Sequence, residues 1–334
     1  MNRYLKGLSG LVLVVVVVLV LFQPGIWFSG PPYDPSSGEF PDFITSNEDY
    51  FTTRISTVPV IDRDTYRLEI TGLIDNPVSL SLVDLRALSP IDLTLTTECI
   101  GNPTNGKLIS TAVWRGFNVY DLLVSLGLSD NATGVKYVAA DGYYVSHTLD
   151  QLRDNGILGA LYMNNEELPA VQGFPLRILS PGYYGAKQPA WVISMEVIDT
   201  PLQDYWDDRG WDTSPPMDVD SMIFFPAGNS IEVNTSETLH VGGAAFGGTR
   251  VAYVEYTLNG GQTWNNATIV EQIDADHVWV FWEVFLNFPE QGEYDLRIRA
   301  TDINGNRQQQ SDPDWRDGTT RWPQLTINVD TNGE

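Results

Sequence analysis

The chain has 334 residues, 43% of them hydrophobic, with 10 Trp, 15 Tyr and 13 Phe, enough for two domains and a sizeable core and unlike a disordered chain. Its formal net charge is −24, which repels nucleic acid and anionic lipid and suits a solvated extracytoplasmic or high-salt setting. The single cysteine, Cys99, excludes an intrachain disulfide, and 29 Gly with 20 Pro point to a chain rich in strands and turns.

No charge occurs between Lys6 and Asp34, and residues 11–22 are Leu, Val and Phe only. Residues 8–28 are long enough to cross a bilayer as a helix. Arg3 and Lys6 precede them, which places the N-terminus in the cytoplasm and the body outside; Trp27 and Phe28 suit an interfacial anchor. A cleaved signal peptide is the alternative, but no small-residue cleavage site follows. Residues 1–30 are therefore read as an uncleaved transmembrane anchor. Residues 31–46 form a Pro-, Gly- and Ser-bearing linker.

From residue 47 to about 200, strands mix with short helices. Residues 66–72 alternate and predict a strand, as do 136–140 and 176–179. Residues 81–88 and 119–126 predict short helices. This is an α+β pattern with no βαβ rhythm, no Gly-rich dinucleotide loop and no Walker loop. Residues 93–99 alternate as a strand that ends at Cys99, and Gly101, Asn102 and Pro103 make a turn behind it. A thiol so placed faces whatever fills the adjacent pocket. It is an inert core thiol, a nucleophile or a metal ligand.

Residues 201–220 are dense in Pro, Asp and Trp and mark a boundary, giving domains over 47–215 and 216–330. In the second domain, residues 230–233, 250–257, 279–284 and 294–300 read as strands, with turns at Asn259-Gly260-Gly261 and Asn304-Gly305-Asn306. That pattern predicts an all-β sandwich of immunoglobulin type without a cysteine bridge. His147, His240 and His277 are scattered and hold no metal-ligand spacing, and no haem-attachment motif occurs.

Five motifs in order then carry a resemblance: Asn47-Glu48-Asp49-Tyr50-Phe51-Thr52-Thr53-Arg54; Thr97-Glu98-Cys99-Ile100-Gly101-Asn102-Pro103; Gly173-Phe174-Pro175-Leu176-Arg177 with Pro181-Gly182-Tyr183-Tyr184-Gly185-Ala186-Lys187 and Trp191; Tyr205-Trp206 to Gly210-Trp211; and Gly260-Gly261-Gln262-Thr263-Trp264 with Arg299-Ala300-Thr301-Asp302. Across residues 44–310 the chain resembles the sulfite oxidase family of molybdopterin oxidoreductases. The resemblance implies a molybdopterin-binding catalytic domain followed by an immunoglobulin-like dimerisation domain. It also implies a Mo-molybdopterin cofactor, or its tungsten variant, with Cys99 as the protein ligand to the metal. Soft thiolates select such metals, and the metal keeps the thiol deprotonated. Cys99, Arg54 and Trp211 fall at catalytic positions. Asn47, Tyr50, Phe51, Asn102, Asp141, Gln172, Arg177, Lys187 and Gln188 fall at cofactor-binding positions, with Arg177 and Lys187 on the phosphate.

The chain departs from the family around the substrate. Pro103 and Thr104 replace two arginines, Trp211 stands where a tyrosine is expected, and Ile55-Ser56 replaces a histidine site. A dianion needs paired planar donors, so sulfite suits this site poorly and a neutral sulfoxide or N-oxide fits at least as well. The implied activity is two-electron oxygen-atom transfer on a small sulfur- or nitrogen-oxo substrate. A separate electron-transfer protein such as a cytochrome would serve it, and the enzyme would be a membrane-anchored homodimer that binds no nucleic acid. The alternative is a metal-free, surface-anchored binding module on the same scaffold.

Overall fold

Apolar runs broken every few residues by Gly, Pro or Asn are too short for stable helices and long enough for strands. In the computed structural model, which describes residues 27–29, 36–200, 204–312 and 314–330, they build four large sheets. The first holds β5 (Ile91–Glu98), β6 (Ile109–Asn118), β9 (Leu158–Met163) and β10 (Glu166–Glu167) in the order β10-β9-β6-β5, with β11 (Arg177–Leu179) also paired to β9. The second holds β3 (Arg67–Gly72), β4 (Val78–Ser81), β7 (Gly134–Ala139), β8 (Tyr144–Thr148) and β12 (Val192–Ile198) in the order β4-β3-β12-β7-β8. Of the pairings in these two sheets, β12 with β3 is parallel. A short ribbon pairs β1 (Trp27–Ser29) with β2 (Thr52–Arg54), Trp27 opposite Arg54.

Among the described residues, three α-helices connect these strands: α1 (Leu82–Arg86), α2 (Val119–Ser125) and α3 (Leu149–Asn155). Each begins where a side chain takes up a free backbone N–H: Ser81 from Asp84, Asn118 from Asp121, Thr148 from Gln151. Their apolar faces join the core of the second sheet around Leu85, Leu122, Leu152 and Tyr137.

The C-terminal part is a sandwich. One sheet is β13 (Asp220–Phe225), β15 (Thr238–Phe246), β19 (Val280–Asn287) and β18 (Thr268–Glu271). The other is β14 (Ser230–Asn234), β21 (Gln324–Asp330), β20 (Gly292–Asp302), β16 (Val251–Thr257) and β17 (Asn265–Asn266). Val241, Trp282, Ile298 and Ile327 lie buried in the core that joins them. The two parts share a further core, in which Ile100, Ile109 and Trp211 pack with Met222, Phe224, Trp279 and Phe281.

One expectation needs correction, and one lies mostly outside the described residues. The class is mostly β: among the described residues the α-helices run only 5 or 7 residues. No described helix is long and apolar enough to cross a membrane. The expected anchor lies outside the described residues except at its end, where Trp27 and Phe28 belong to a strand because their backbone pairs with β2.

Candidate active site

β5 delivers Cys99 by register. Its last four residues are buried, and Glu98 stands opposite Ile109 of β6. The chain then leaves the sheet in a closed loop. Cys99 N donates to the Leu108 carbonyl at 2.9 Å, and Leu108 N donates to Asn102 Oδ1 at 3.0 Å. Asn102 Nδ2 donates to Glu98 at 3.0 Å, so the amide closes the loop from within. Gly185 lets a second loop lie against this strand end: a Cβ there would meet Thr97 Cγ2 at 3.3 Å and the Glu98 carbonyl oxygen at 3.4 Å.

Cys99 is half-buried in the wall of a cavity enclosing about 1070 Å³, counting its open mouth. Desolvation pushes its pKa up to about 11; the Glu98 charge adds to this, and hydrogen bonds from Gly101 and Thr53 oppose it. The free side chain is therefore a neutral thiol near pH 7, and a metal would take the place of its proton. Burial also pushes Glu98 up, to about 8, with its Asn102 hydrogen bond opposing.

Arg177 reaches the same cavity from β11. Its Nη1 donates to Gln172 Oε1 at 3.1 Å and to the Gln172 carbonyl at 3.3 Å, and its guanidinium lies 5.5 Å from the Trp114 ring centre. Gln172 Nε2 in turn donates to the Tyr50 carbonyl at 3.1 Å. Desolvation lowers the Arg177 pKa. Gln188 holds its wall through Thr97, which donates to Gln188 Oε1 at 3.0 Å, and by donating to the Tyr183 carbonyl at 3.0 Å.

Trp191 joins these pieces. Its indole donates to the Ala170 carbonyl at 2.7 Å, its N–H to Gly173 at 3.2 Å, and its carbonyl accepts from Ala140 at 2.9 Å. It does so at φ 56, a left-handed conformation costly for a bulky residue and of the kind that clusters at functional sites.

Arg54 on β2, Ile55, Val171, Tyr143, Trp206 and Trp211 complete the lining. The lining holds two guanidiniums, Arg54 and Arg177, and one carboxylate, Asp141. The cavity is thus a cationic exception in a strongly anionic chain. The Nε atoms of both arginines are buried with no hydrogen-bond partner among the described residues. Burial raises the Asp141 pKa, and its carboxylate accepts the Tyr143 N–H at 3.0 Å.

Of the residues singled out in the sequence, Cys99, Arg54, Trp211, Phe51, Asp141, Gln172, Arg177 and Gln188 line this one cavity. Four do not. Asn47 donates to Glu166 at 3.1 Å and to the Met163 carbonyl at 3.3 Å, and so ties its segment to the β9–β10 hairpin. Tyr50 is buried behind the wall between Phe51 and Trp114. Asn102 closes the Cys99 loop. The Lys187 ammonium is buried against the Asp204 carboxylate and the Ser146 carbonyl. Thr53, Tyr143 and Trp191 were not singled out as site residues. Tyr143 carried a usable signal, since it follows Asp141-Gly142 directly.

The donor set fits a phosphate-bearing pterin dithiolene with a thiophilic metal. It offers one thiol at the wall, buried guanidinium nitrogens awaiting acceptors, and a glycine loop passing close to the thiol's strand. This matches the comparisons with known proteins. The model of an oxidoreductase molybdopterin-binding domain matches residues 55–206, and that of a Mo-co oxidoreductase dimerisation domain matches residues 213–317. Sulfite oxidase of Gallus gallus is 28% identical over 80% of this chain and 69% of its own length. Mitochondrial sulfite oxidase of Macaca fascicularis is 29% identical over 80% of this chain, which spans 57% of that protein. The NADH nitrate reductase of Ulva prolifera is 25% identical over 77% of this chain and 36% of its own. The crystal structure of the sulfane dehydrogenase SoxCD from Paracoccus pantotrophus shares the fold, with a TM-score of 0.75 at 20% identity, over 93% of this chain and 88% of that one.

Proposed function

The chain belongs to the sulfite oxidase family of molybdopterin oxidoreductases, with Mo-molybdopterin as cofactor, and from that membership we propose two-electron oxygen-atom transfer on a small, neutral sulfur- or nitrogen-oxo substrate. One observation carries the reading: the only cysteine of the chain lines the same cavity as two guanidiniums whose buried Nε atoms have no partner among the described residues.

Bound there, the cofactor supplies the two-electron redox chemistry and the exchange of one oxygen atom. The protein supplies placement. Cys99 holds the metal. Arg177, backed by Gln172 and stacked near Trp114, receives the anionic end of the cofactor, and Gln188 and Asp141 contact its polar edges. Arg54 points a single cation at the oxo group of the substrate. Trp206, Trp211 and Tyr143 exclude water from around it. One arginine among aromatic walls matches a neutral oxide better than a dianion, whose desolvation needs more than one fixed counter-charge.

Electrons pass to or from a separate protein, a cytochrome in this proposal. The apolar residues 11–22 hold the enzyme at a membrane with its body outside the cytoplasm, and the C-terminal sandwich joins two copies. Elemental analysis of the full chain, made in a host that synthesises molybdopterin, tests the core of the reading. About one molybdenum per chain, lost in Cys99→Ser with the circular dichroism unchanged, is expected. A folded parent without molybdenum or tungsten would overturn it.

A further inference from the structure

Lys187 and Asp204 play no part in the reading above, yet they form the most deeply buried ion pair found among the described residues, with side chains 7% and 1% exposed. Lys187 Nζ donates to Asp204 and, at 2.7 Å, to the Ser146 carbonyl. Asp204 Oδ1 accepts the Ser146 N–H at 2.7 Å, and its Oδ2 accepts the Thr213 hydroxyl at 3.2 Å. Asp207 repeats the pattern one turn on. It accepts Thr213 N and Oγ1 at 2.9 and 2.8 Å and the Asp204 N–H at 3.1 Å. Residues 204–213 are thereby closed on themselves at both ends and clamped to one lysine.

The segment so clamped carries Trp206 and Trp211, both in the cavity lining. Trp211 packs edge-on to Trp315 at 5.1 Å. On the other side of the clamp, Lys187 ends the turn Gly185–Lys187, and Gly185, Ala186 and Gln188 line the cavity as well. The pair therefore bridges the loop beside Cys99 and the aromatic wall. Burying two charges is expensive, and an apolar pair of like volume often serves stability as well or better. Stability alone gives no reason for charge here, whereas fixed placement of the wall does.

We propose that the Lys187–Asp204 pair is a positioning device: it fixes the 204–213 segment so that Trp206 and Trp211 set the size of substrate the cavity admits. The proposal rests on the cavity being the active site, and the test separates the two. Asp204→Asn, Lys187→Met and the double variant Lys187→Met/Asp204→Leu are prepared as cofactor-loaded full chains. Molybdenum content, melting temperature, kcat and KM are then measured with dimethyl sulfoxide, trimethylamine N-oxide and the bulkier methyl phenyl sulfoxide.

The single variants are expected to keep their molybdenum. KM for the small oxides should rise by about tenfold or more while kcat changes little, and preference should shift toward the bulky sulfoxide, as loss of wall placement predicts. The double variant should recover the melting temperature but not the parent's preference. If the double variant recovers both, or if every substrate loses rate in parallel with molybdenum and melting temperature, the pair is structural only and the proposal fails. A parent without molybdenum would instead overturn the reading of the cavity.

Discussion

Arg54 and Arg177 share a cavity but have different surroundings, and those surroundings divide their roles. Arg177 is held by two acceptors of Gln172 and lies near the Trp114 face, deep in the wall. Arg54 comes from the short β2 ribbon and lines the cavity together with Ile55 and Trp206. A charge-assisted hydrogen bond contributes about 1.5–3 kcal/mol, so Arg177→Met should weaken cofactor retention by roughly ten- to a hundredfold. Arg177→Lys should recover only part, because a point charge cannot replace a planar fork. Arg54→Met should keep its molybdenum and raise KM instead. Metal analysis after dialysis, set beside steady-state kinetics, separates the two; equal molybdenum loss in both variants would contradict the division. The sequence identified both arginines because each sits in a motif. It could not reveal that Lys187, in an equally good motif, already has Asp204 as its partner. Nor could it reveal that Asn102 spends its amide on Glu98 and Leu108. A motif reports residue type and neighbourhood, and the competition for each donor is settled by residues distant in sequence.

At the scale of elements, strands that alternate were legible, whereas β9, buried along nearly its whole length, was not. β3, β7 and the end of β5 showed the period-two pattern. β9 is a buried run, Leu158–Met163, whose pattern cannot be told from a buried helix by period alone. α3 was missed: it opens on a capping box of Thr148 with Gln151, but the helix behind it is too short to show a period. The pairing of β6 with β9 depends on a glycine that no period reveals. The register shifts between Arg115 and Gly116, and a Cβ on Gly116 would collide with the Gly159 carbonyl oxygen. Backbone cannot yield as a side-chain tip can, so Gly116→Ala should cost about 2–4 kcal/mol by urea denaturation. β6 carries β5 and hence the Cys99 loop, so the same variant should also retain less molybdenum. A loss below about 0.5 kcal/mol, the range of ordinary surface changes, would show that the two strands separate without penalty.

Across the whole molecule, the parts matched over residues 55–206 and 213–317 have separate sheets but share packing. The segment before β2 lays Phe40 and Phe43 on Phe281 of the sandwich, with ring centres 5.2 Å apart in each case. Trp279 fastens the same seam. Its indole donates to the Phe43 carbonyl at 3.0 Å, its N–H donates to Thr96 Oγ1 at 2.8 Å, and Thr96 N donates to the His277 carbonyl at 2.9 Å. Thr96 lies on β5, three residues before Cys99, so the sandwich supports the strand that ends at that thiol. This coupling predicts one cooperative unfolding event for both parts. Trp279→Ala removes a side chain that is 2% exposed and leaves the Phe43 carbonyl without its donor. Large aromatic truncations cost about 3–5 kcal/mol, or roughly 10 °C in melting temperature for domains of this size. Calorimetry of the full chain should show the shifted transition taking molybdenum release with it. Two separate transitions in the parent, or a shift confined to the sandwich while metal release stays put, would mean that the parts are stable independently and the seam is only contact.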